Sequence, residues 1–343
     1  MGMLEIDGAR REGGGQILRS SLALSLVTGT PFRIVNIRAR RRQPGLMRQH
    51  LTAVSAAAEV GQARVTGAEI GSRELAFQPG HPRSGEYHFS VGSAGSATLV
   101  FQTVFPVLAL AKGSSTVTVE GGTHNPMAPP FEFLARAFLP LVDRMGPRCT
   151  SVLEQPGFYP AGGGRFRVAI EPTQNFGPLL LPERGAIRAR RATAVLAQLG
   201  RTIAERELKQ IQDRLGWETS ACHIEHARNA IGKGNVVSVE IESEHATELF
   251  TGFGRKGVPA EKVGAAVAME AAEYLAAGVP VGRHLADQLL LPMALGSGGL
   301  FRTVKPSGHA ETHIALLHAF LGTNIAVQEV GERAWEIAVP PRR

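Results

Sequence analysis

The sequence predicts a mixed α/β (α+β) fold in which one βαβαββ order of elements occurs three times, with a small α+β domain interrupting the third copy. Two observations support this prediction. Apolar residues alternate in short runs typical of strands and recur at helical spacing in longer ones, and the resulting order repeats about every 80 residues. Each copy would form one sheet covered by two helices.

The first copy is predicted to contain strands at 3–9, 32–39, 64–70 and 74–77 and helices at 14–28 and 45–60. Gly29 and Gly61 follow the two helices, where glycine commonly ends a helix. The second copy is predicted to contain strands at 86–91, 115–120, 148–154 and 165–170 and helices at 96–111 and 130–145. Phe166, Val168 and Ile170 alternate as in a half-buried strand.

The third copy is predicted to be split. Its first strand is assigned to 186–195, and its other elements are helices at 285–295 and 311–321 and strands at 300–304, 325–329 and 334–339. The segment between them contains a polar helix at 202–215, strands around 220–226 and 236–241, and an alanine-rich helix at 260–277. We therefore expect a large domain at 1–184 and 281–343 and a small inserted domain at 185–280, since insertions are best tolerated in surface loops.

Composition excludes several classes of protein. Hydrophobic residues make up 43% and charged residues 20%, which is incompatible with global disorder. No apolar run reaches the ~20 residues that a membrane helix needs. Glu5, Asp7 and Arg10 stand where a secretion signal would be apolar. The only two cysteines, Cys149 and Cys222, have no paired spacing, which excludes a disulfide framework and a cysteine-rich zinc site. We expect a cytoplasmic protein that does not associate with membranes.

The net charge of +7 suggests a polyanionic partner but does not establish one. Arginine dominates the 37 basic residues, and its planar guanidinium can contact phosphate with two nitrogens. An arginine-rich genomic coding bias would produce the same composition.

Four loops are candidates for the chemistry of the protein, and the first two of them are candidates for phosphate binding. The run of glycines at 13–15 opens a helix and offers free backbone N–H groups, with Glu12 placed to hold a metal and Arg19 one turn further on. A plain strand-to-helix turn is the alternative, and the dinucleotide-binding glycine pattern fails because Leu18 occupies its third position. The arginine-rich loop at 38–45 would lie at the same end of the unit and could share its phosphate, although a solvated basic turn is the usual interpretation of such a run. The segment at 92–96, followed by Gln102, occupies the place in the second copy that the glycine run has in the first, with helix packing as the alternative. In the segment at 121–130, two prolines can preorganise a helix N-terminus, and helix initiation alone would explain them.

Histidine is the candidate nucleophile. His309 and His313 have the spacing of a zinc pair, but no third ligand is evident and the metalloprotease motif is absent. A single neutral imidazole can instead attack phosphorus, with Asp287 as a group that could orient the ring.

Taken together, these segments resemble the RNA 3′-terminal phosphate cyclase family, in the same order from residue 3 to the last strand. The matching segments are 7–8, 12–19, 44–46, 48–50, 92–96, 121–130, 157–164, 285–288 and 306–309. Gly-Phe-Tyr-Pro-Ala-Gly-Gly-Gly at 157–164 and Leu-Ala-Asp-Gln-Leu at 285–289 are highly specific strings. The resemblance implies three repeats like the C-terminal domain of translation initiation factor three, with a small inserted domain.

The resemblance also implies an activity, which is the ATP-dependent conversion of an RNA 3′-phosphate to a 2′,3′-cyclic phosphate. Such an enzyme is a ligase. A histidine takes AMP from ATP, AMP passes to the RNA 3′-phosphate, and the neighbouring 2′-OH expels it. The implied cofactors are ATP and Mg²⁺ or Mn²⁺, and the implied partner is RNA with a 3′-phosphate end. The oligomeric state stays open, a homodimer being one option.

The resemblance assigns roles residue by residue. His309 matches the nucleophile, and Glu12, Arg41 and Asp287 complete the expected catalytic set. Glu12 and Gln102 are the expected metal contacts. The expected nucleotide-binding residues are Arg19, Arg38, Gln102, Pro129, His284, Leu285, Ala286, Asp287 and Gln288.

One position departs from the family. His284 stands where a tyrosine often forms one wall of the adenine slot opposite Pro129. Imidazole still stacks on adenine, over less area. His313 and His318 are not part of the motif and are assigned to a helix surface.

Two other function classes also predict a basic face that binds RNA or another anion. A catalytically silent cyclase-like protein acting in rRNA processing would lack the nucleophile, and His309 argues against it. An enolpyruvyl transferase on a similar repeat would not need His309, Glu12 and the arginine cluster together.

Overall fold

A computed structural model describes residues 2–342 of the chain. The prediction of a mixed α/β fold is confirmed. The described residues form four four-stranded sheets, each of which contains both parallel and antiparallel pairs. Three of the sheets share one strand order.

The first sheet has the order β1-β2-β4-β3. Its elements are β1 (Leu4–Asp7), α1 (Gly15–Thr28), β2 (Phe32–Val35), α2 (Arg48–Gly61), β3 (Arg64–Thr66) and β4 (Leu75–Gln78). Strand β2 is shorter than predicted because Asn36 and Arg38 adopt left-handed backbone conformations, with φ of 55° and 52°. They turn the chain into the arginine-rich loop, so α2 begins only at Arg48.

The second sheet has the order β5-β6-β8-β7. Its elements are β5 (Glu86–Ser90), α3 (Ala97–Ala109), β6 (Ser115–Gly121), a π-helical turn (Phe133–Phe138) continued by α4 (Leu139–Asp143), β7 (Arg148–Gln155) and β8 (Gly164–Glu171). The helix predicted at 130–145 thus contains a π turn. Pro140, at the start of α4, has no N–H to donate to the preceding turn, which fits a change of helical register there.

The third sheet corrects the sequence prediction. Its first strand is the three-residue β9 (Leu179–Leu181), which pairs in parallel with β14 (Gly299–Thr303), and not the segment at 186–195. Three consecutive leucines carry no alternation by which a strand could be recognised. All but the first residue of the segment at 186–195 lies in β10 (Ile187–Ala197), which belongs to the fourth sheet.

The fourth sheet has the order β11-β10-β12-β13. Its elements are β10 (Ile187–Ala197), α5 (Arg201–Leu215), a 3₁₀ turn (Thr219–Ala221), β11 (Cys222–His226), β12 (Gly234–Ser243), β13 (Thr247–Phe253) and α6 (Ala260–Ala277). We call residues 187–277 the small unit. Strand β13 was not predicted. Helices α5 and α6 pack on each other and on this sheet around a separate apolar core.

The chain then completes the third sheet, whose order is β9-β14-β16-β15. The remaining elements are α7 (Arg283–Ala294), β14 (Gly299–Thr303), α8 (Gly308–Leu321), β15 (Ala326–Gly331) and β16 (Ala334–Val339). The three like sheets share one continuous core. Helix α8 packs on both α1 and α7, so this packing brings residues from three distant parts of the sequence together.

None of the helices within residues 2–342 combines the length and the apolar character needed to cross a membrane.

Candidate active site

A chain of hydrogen bonds connects three helices at His309. The Nδ1 atom of His309, in the first turn of α8, lies 3.0 Å from Oε1 of Gln16 in α1. The other side of the Gln16 amide donates from Nε2 to Oδ1 of Asp287 in α7, at 2.6 Å. Gln16 therefore connects the candidate nucleophile to the carboxylate that the sequence suggested as its partner.

This chain determines which nitrogen of His309 is free. An ionised carboxylate only accepts hydrogen bonds, so the Gln16 amide nitrogen faces Asp287 and its oxygen faces His309. Nδ1 of His309 must then carry the proton, which leaves the lone pair on Nε2. Burial lowers the pKa of His309, the charges of Arg19 and Arg41 lower it further, and Asp287 partly opposes them. The ring is therefore neutral and nucleophilic near pH 7.

The sequence assigned His313 to the surface of its helix, but the structure buries this side chain behind His309. Its Nε2 lies 3.1 Å from Oγ of Ser20, and its Nδ1 lies 3.1 Å from the backbone oxygen of Asp287 and 3.4 Å from Oδ1. Burial alone would raise the pKa of Asp287, but hydrogen bonding to His313 and Gln16 outweighs it and lowers the pKa. His313 thus supports the ionised state of Asp287. His318, by contrast, is exposed.

Glu12 lies on the other side of His309. Its Oε2 is 3.7 Å from Nδ1 of His309, and its other oxygen contacts the guanidinium of Arg41. Within the described residues, Oε2 is buried and has no hydrogen-bond partner. Such an atom is costly unless it accepts a proton donor or binds a cation. No three His, Cys, Asp or Glu side chains between residues 2 and 342 converge into a preformed metal site.

Arg19 and Arg38 lie around the buried His50. Burial lowers the pKa of Arg19 to about 10, partly opposed by Asp287, so the side chain stays charged near neutral pH. Burial, together with the charges of the two arginines, lowers the pKa of His50 to about 3 and keeps it neutral. Gly15 makes this packing feasible, because a Cβ there would lie 2.4 Å from Nε2 of His50. The glycine run therefore accommodates side chains as well as freeing backbone N–H groups.

A cleft of about 610 Å³ opens beside His309, and we call it the His309 cleft. Gln102, whose amide nitrogen donates to the Gln288 side chain, lies on its wall. Pro129 and His284 also line it. The His284 side chain is exposed, and its Nε2 lies 3.0 Å from Oε1 of Glu270 in α6, a contact that raises the pKa of His284.

The structure thus brings together most of the residues named from the sequence. Arg19, Gln102, Pro129, His284, Asp287, Gln288 and His309 line the His309 cleft. Glu12 lies beside the cleft, 3.7 Å from His309, and Arg41 contacts Glu12. Arg38 donates a hydrogen bond of 2.8 Å to the backbone oxygen of Gly45 in the arginine-rich loop. Leu285 and Ala286 are fully buried in the core and do not line the cleft, since the helical turn that directs Asp287 toward the cleft directs them into the core.

Sequence reasoning missed several residues of this site. Gln16 stood inside the glycine-rich motif, but nothing in its spacing showed that it would bridge two other helices. Arg255 and Lys262 line the cleft from the small unit, whose relation to the site no local pattern indicated. His313 had a usable signal, because it lies one helical turn after His309 and so faces the same side of α8.

Known proteins resemble this chain along most of its length. A family model described as RNA 3′-terminal phosphate cyclase matches residues 10–327. The chain is 50% identical over 329 residues to the RNA 3′-terminal phosphate cyclase of Koribacter versatilis, covering 96% of this chain and 93% of that protein. It is 50% identical over 326 residues to that of Ralstonia nicotianae (95% and 93% covered), and 48% identical over 335 residues to that of Pseudomonas fluorescens (98% and 97% covered).

The family model spans residues 10–327, a range that contains His309, Gln16, Asp287 and Glu12, and the relatives match 95% or more of the chain. The chain therefore belongs to the RNA 3′-terminal phosphate cyclase family.

Proposed function

We propose that this chain is an ATP-dependent RNA 3′-terminal phosphate cyclase, a ligase that converts an RNA 3′-phosphate to a 2′,3′-cyclic phosphate. The observation that carries the proposal is the neutral His309 with its proton held on Nδ1 by Gln16 and its Nε2 lone pair free, beside a cleft with cationic walls. A catalytically silent relative would have no need of such an arrangement.

In the first step, Nε2 of His309 attacks the α-phosphorus of ATP. A P–N bond forms, the P–O bond to pyrophosphate breaks, and the imidazole becomes positively charged. Gln16, polarised by Asp287, stabilises this charge through Nδ1–H, and the Glu12 carboxylate contributes at 3.7 Å. Arg19 and Arg41 are placed to neutralise phosphate oxygens, which is the main catalytic requirement of such transfers.

In the second step, an oxygen of the RNA 3′-phosphate attacks the phosphorus of the bound AMP. The P–N bond breaks and His309 leaves as a neutral imidazole, which its lowered pKa favours. In the third step, the oxygen of the 2′-OH attacks the activated 3′-phosphorus, the hydroxyl proton passes to solvent, and AMP departs with the electrons of the broken P–O bond. The same cleft would hold adenine between Pro129 and His284.

Glu12 fits the divalent metal that the family implies. Its buried Oε2 has no partner among residues 2–342, and a carboxylate oxygen is a preferred ligand of Mg²⁺ and Mn²⁺. Gln102, whose Nε2 donates to Gln288, would offer its amide oxygen as a further ligand. When bound, the metal would neutralise charge on the triphosphate.

We extend the proposal to the architecture and setting. The shared strand order of three sheets supports three repeats, and the separate core of residues 187–277 supports a small inserted domain. The large domain would then comprise 1–184 and 281–343. We expect the enzyme to act in the cytoplasm.

The direct test incubates the protein with ATP, magnesium and an RNA oligonucleotide bearing a 3′-phosphate. We expect a product whose terminal phosphate resists phosphatase. The matched substrate with a 2′-O-methyl group on the last nucleotide should accept AMP but not cyclise. Equal phosphatase sensitivity of the RNA before and after incubation, with manganese also supplied, would contradict the proposed activity.

A further inference from the structure

A second cleft, also of about 610 Å³, lies on the far side of α8 and takes no part in the mechanism above. We call it the Trp335 cleft. Its walls include Arg10, Arg11, Lys305, Asn324 and Trp335. It is not lined by any residue of the His309 cleft.

The two clefts are neighbours because they share their supporting segments. Helix α8 turns His309 and His313 toward one cleft and Glu311, Ala315 and His318 toward the other. Arg10 and Arg11 directly precede Glu12, and Lys305 lies four residues before His309. The distance between the His309 cleft and the Trp335 cleft is therefore about the diameter of one helix, roughly 10 Å. Gly308, at the start of α8, is exposed, and a Cβ there would meet nothing within 4 Å.

The chemistry of the Trp335 cleft suits a nucleic acid strand. The exposed Arg10 and Lys305 make no ion pair with a carboxylate among residues 2–342, while Arg11 pairs with Glu311 at 3.2 Å. Trp335 is only partly buried and offers an indole face, and Asn324 adds an amide. Cationic side chains around an aromatic platform are what single-stranded nucleic acid binds, through phosphate contacts and base stacking.

We infer that the Trp335 cleft binds the RNA nucleotides that precede the 3′-terminal phosphate, with a base stacked on Trp335 and the backbone phosphates beside Arg10 and Lys305. The strand passes over the start of α8 at Gly308, and its 3′-phosphate enters the His309 cleft. This inference rests on the proposed function, since it names where that enzyme holds the body of its RNA substrate.

Steady-state cyclisation tests the inference with two substrates, a 3′-phosphorylated RNA ten-mer and a single nucleoside 3′-phosphate. In Trp335→Ala we expect the KM of the ten-mer to rise about tenfold, the usual scale for loss of a stacked base. The KM of the single nucleotide should not change, because it does not reach the cleft. Trp335→Phe, which keeps an aromatic face, should stay within about twofold of the wild type.

The phosphate contact has its own test. Lys305→Ala should reduce the slope of log KM against log salt for the ten-mer by about 0.7, the value for one phosphate contact on a single strand. Lys112→Ala is the matched control, since this exposed lysine lines neither cleft. All four variants should label themselves with AMP from ATP as the wild type does.

An unchanged KM for the ten-mer in Trp335→Ala, with an unchanged salt slope in Lys305→Ala, would overturn the inference and leave the cleft to another partner, such as a protein. Binding without turnover separates this result from failure of the proposed function. The chain has two tryptophans, and Trp217 is buried. In Trp217→Phe protein the ten-mer should quench the remaining fluorescence of Trp335, and no quenching at saturating RNA would also overturn the inference.

Discussion

At the scale of single residues, Gln16 has the most specific part. It holds the proton of His309 on Nδ1, and its amide connects His309 to Asp287 through one hydrogen bond to each residue. Gln16→Met keeps the approximate size but removes both hydrogen bonds. We expect the rate of self-adenylylation to fall by about a hundredfold, as for other misaligned nucleophiles. The binding of ATP, measured by calorimetry, should change little.

The control for Gln16 is Gln49→Met, a change of the same type at a glutamine that accepts a hydrogen bond from the Ser96 backbone and lines neither cleft. A Gln16→Met rate within about twofold of the wild type would show that His309 does not depend on this connection.

The pKa of His309 leads to a pH prediction. Burial lowers this pKa below its usual value of 6.5, and only the neutral ring attacks phosphorus. The single-turnover rate of self-adenylylation should therefore be level above pH 7 and fall at lower pH, with its midpoint below 6.5. A midpoint above that value would mean that the ring is held protonated.

At the scale of elements, helix α7 is anchored by a residue of the small unit. Oε2 of the buried Glu248, in β13, accepts a hydrogen bond of 2.5 Å from the backbone N–H of Gly282, the residue before α7. Glu248→Ala leaves this N–H buried and unpaired, at a cost of about 1–3 kcal/mol. We expect a lower thermal midpoint and slower self-adenylylation, because α7 carries Asp287.

Glu242→Ala, at an exposed position of neighbouring β12, is the control and should change neither quantity. If Glu248→Ala matches that control in the thermal midpoint, the bond to Gly282 does not hold α7.

Elements and motifs differ in how far the sequence could predict them. Helices such as 14–28 and 260–277 were predicted within one residue of their ends, because glycine follows each of them and apolar residues recur at helical spacing. Strand β9 was missed because three leucines have no pattern, and it is a strand only through its pairing with β14. The motif residues of the site could be named, but not the bridge through Gln16, because it depends on how three distant helices pack.

At the scale of the whole molecule, stability should depend on pH through a buried carboxylate of the small unit. Burial raises the pKa of Glu207 to about 7, although Asn235 donates to both of its oxygens, at 2.7 and 2.8 Å. The folded chain therefore keeps a proton that the unfolded chain releases above its ordinary pKa near 4.5. This contribution to stability is present below that pKa and is lost as the pH rises toward 7.

Glu207→Gln removes this titration. Between pH 5 and pH 8 the wild type should lose on the order of 2 kcal/mol more unfolding free energy than the variant, as measured by urea denaturation. Identical pH dependence in the two proteins would show that Glu207 is ionised in the folded state throughout this range.

The central claim is that His309 carries AMP. The most direct measurement incubates the protein with magnesium and ATP labelled at the α-phosphate, without RNA, and denatures it before counting label on the chain. We predict label that is labile in acid and stable in alkali, as a P–N bond requires, and that is absent in His309→Ala. A folded wild type that takes no label with either magnesium or manganese, or a His309→Ala variant that takes as much as the wild type, would contradict the account.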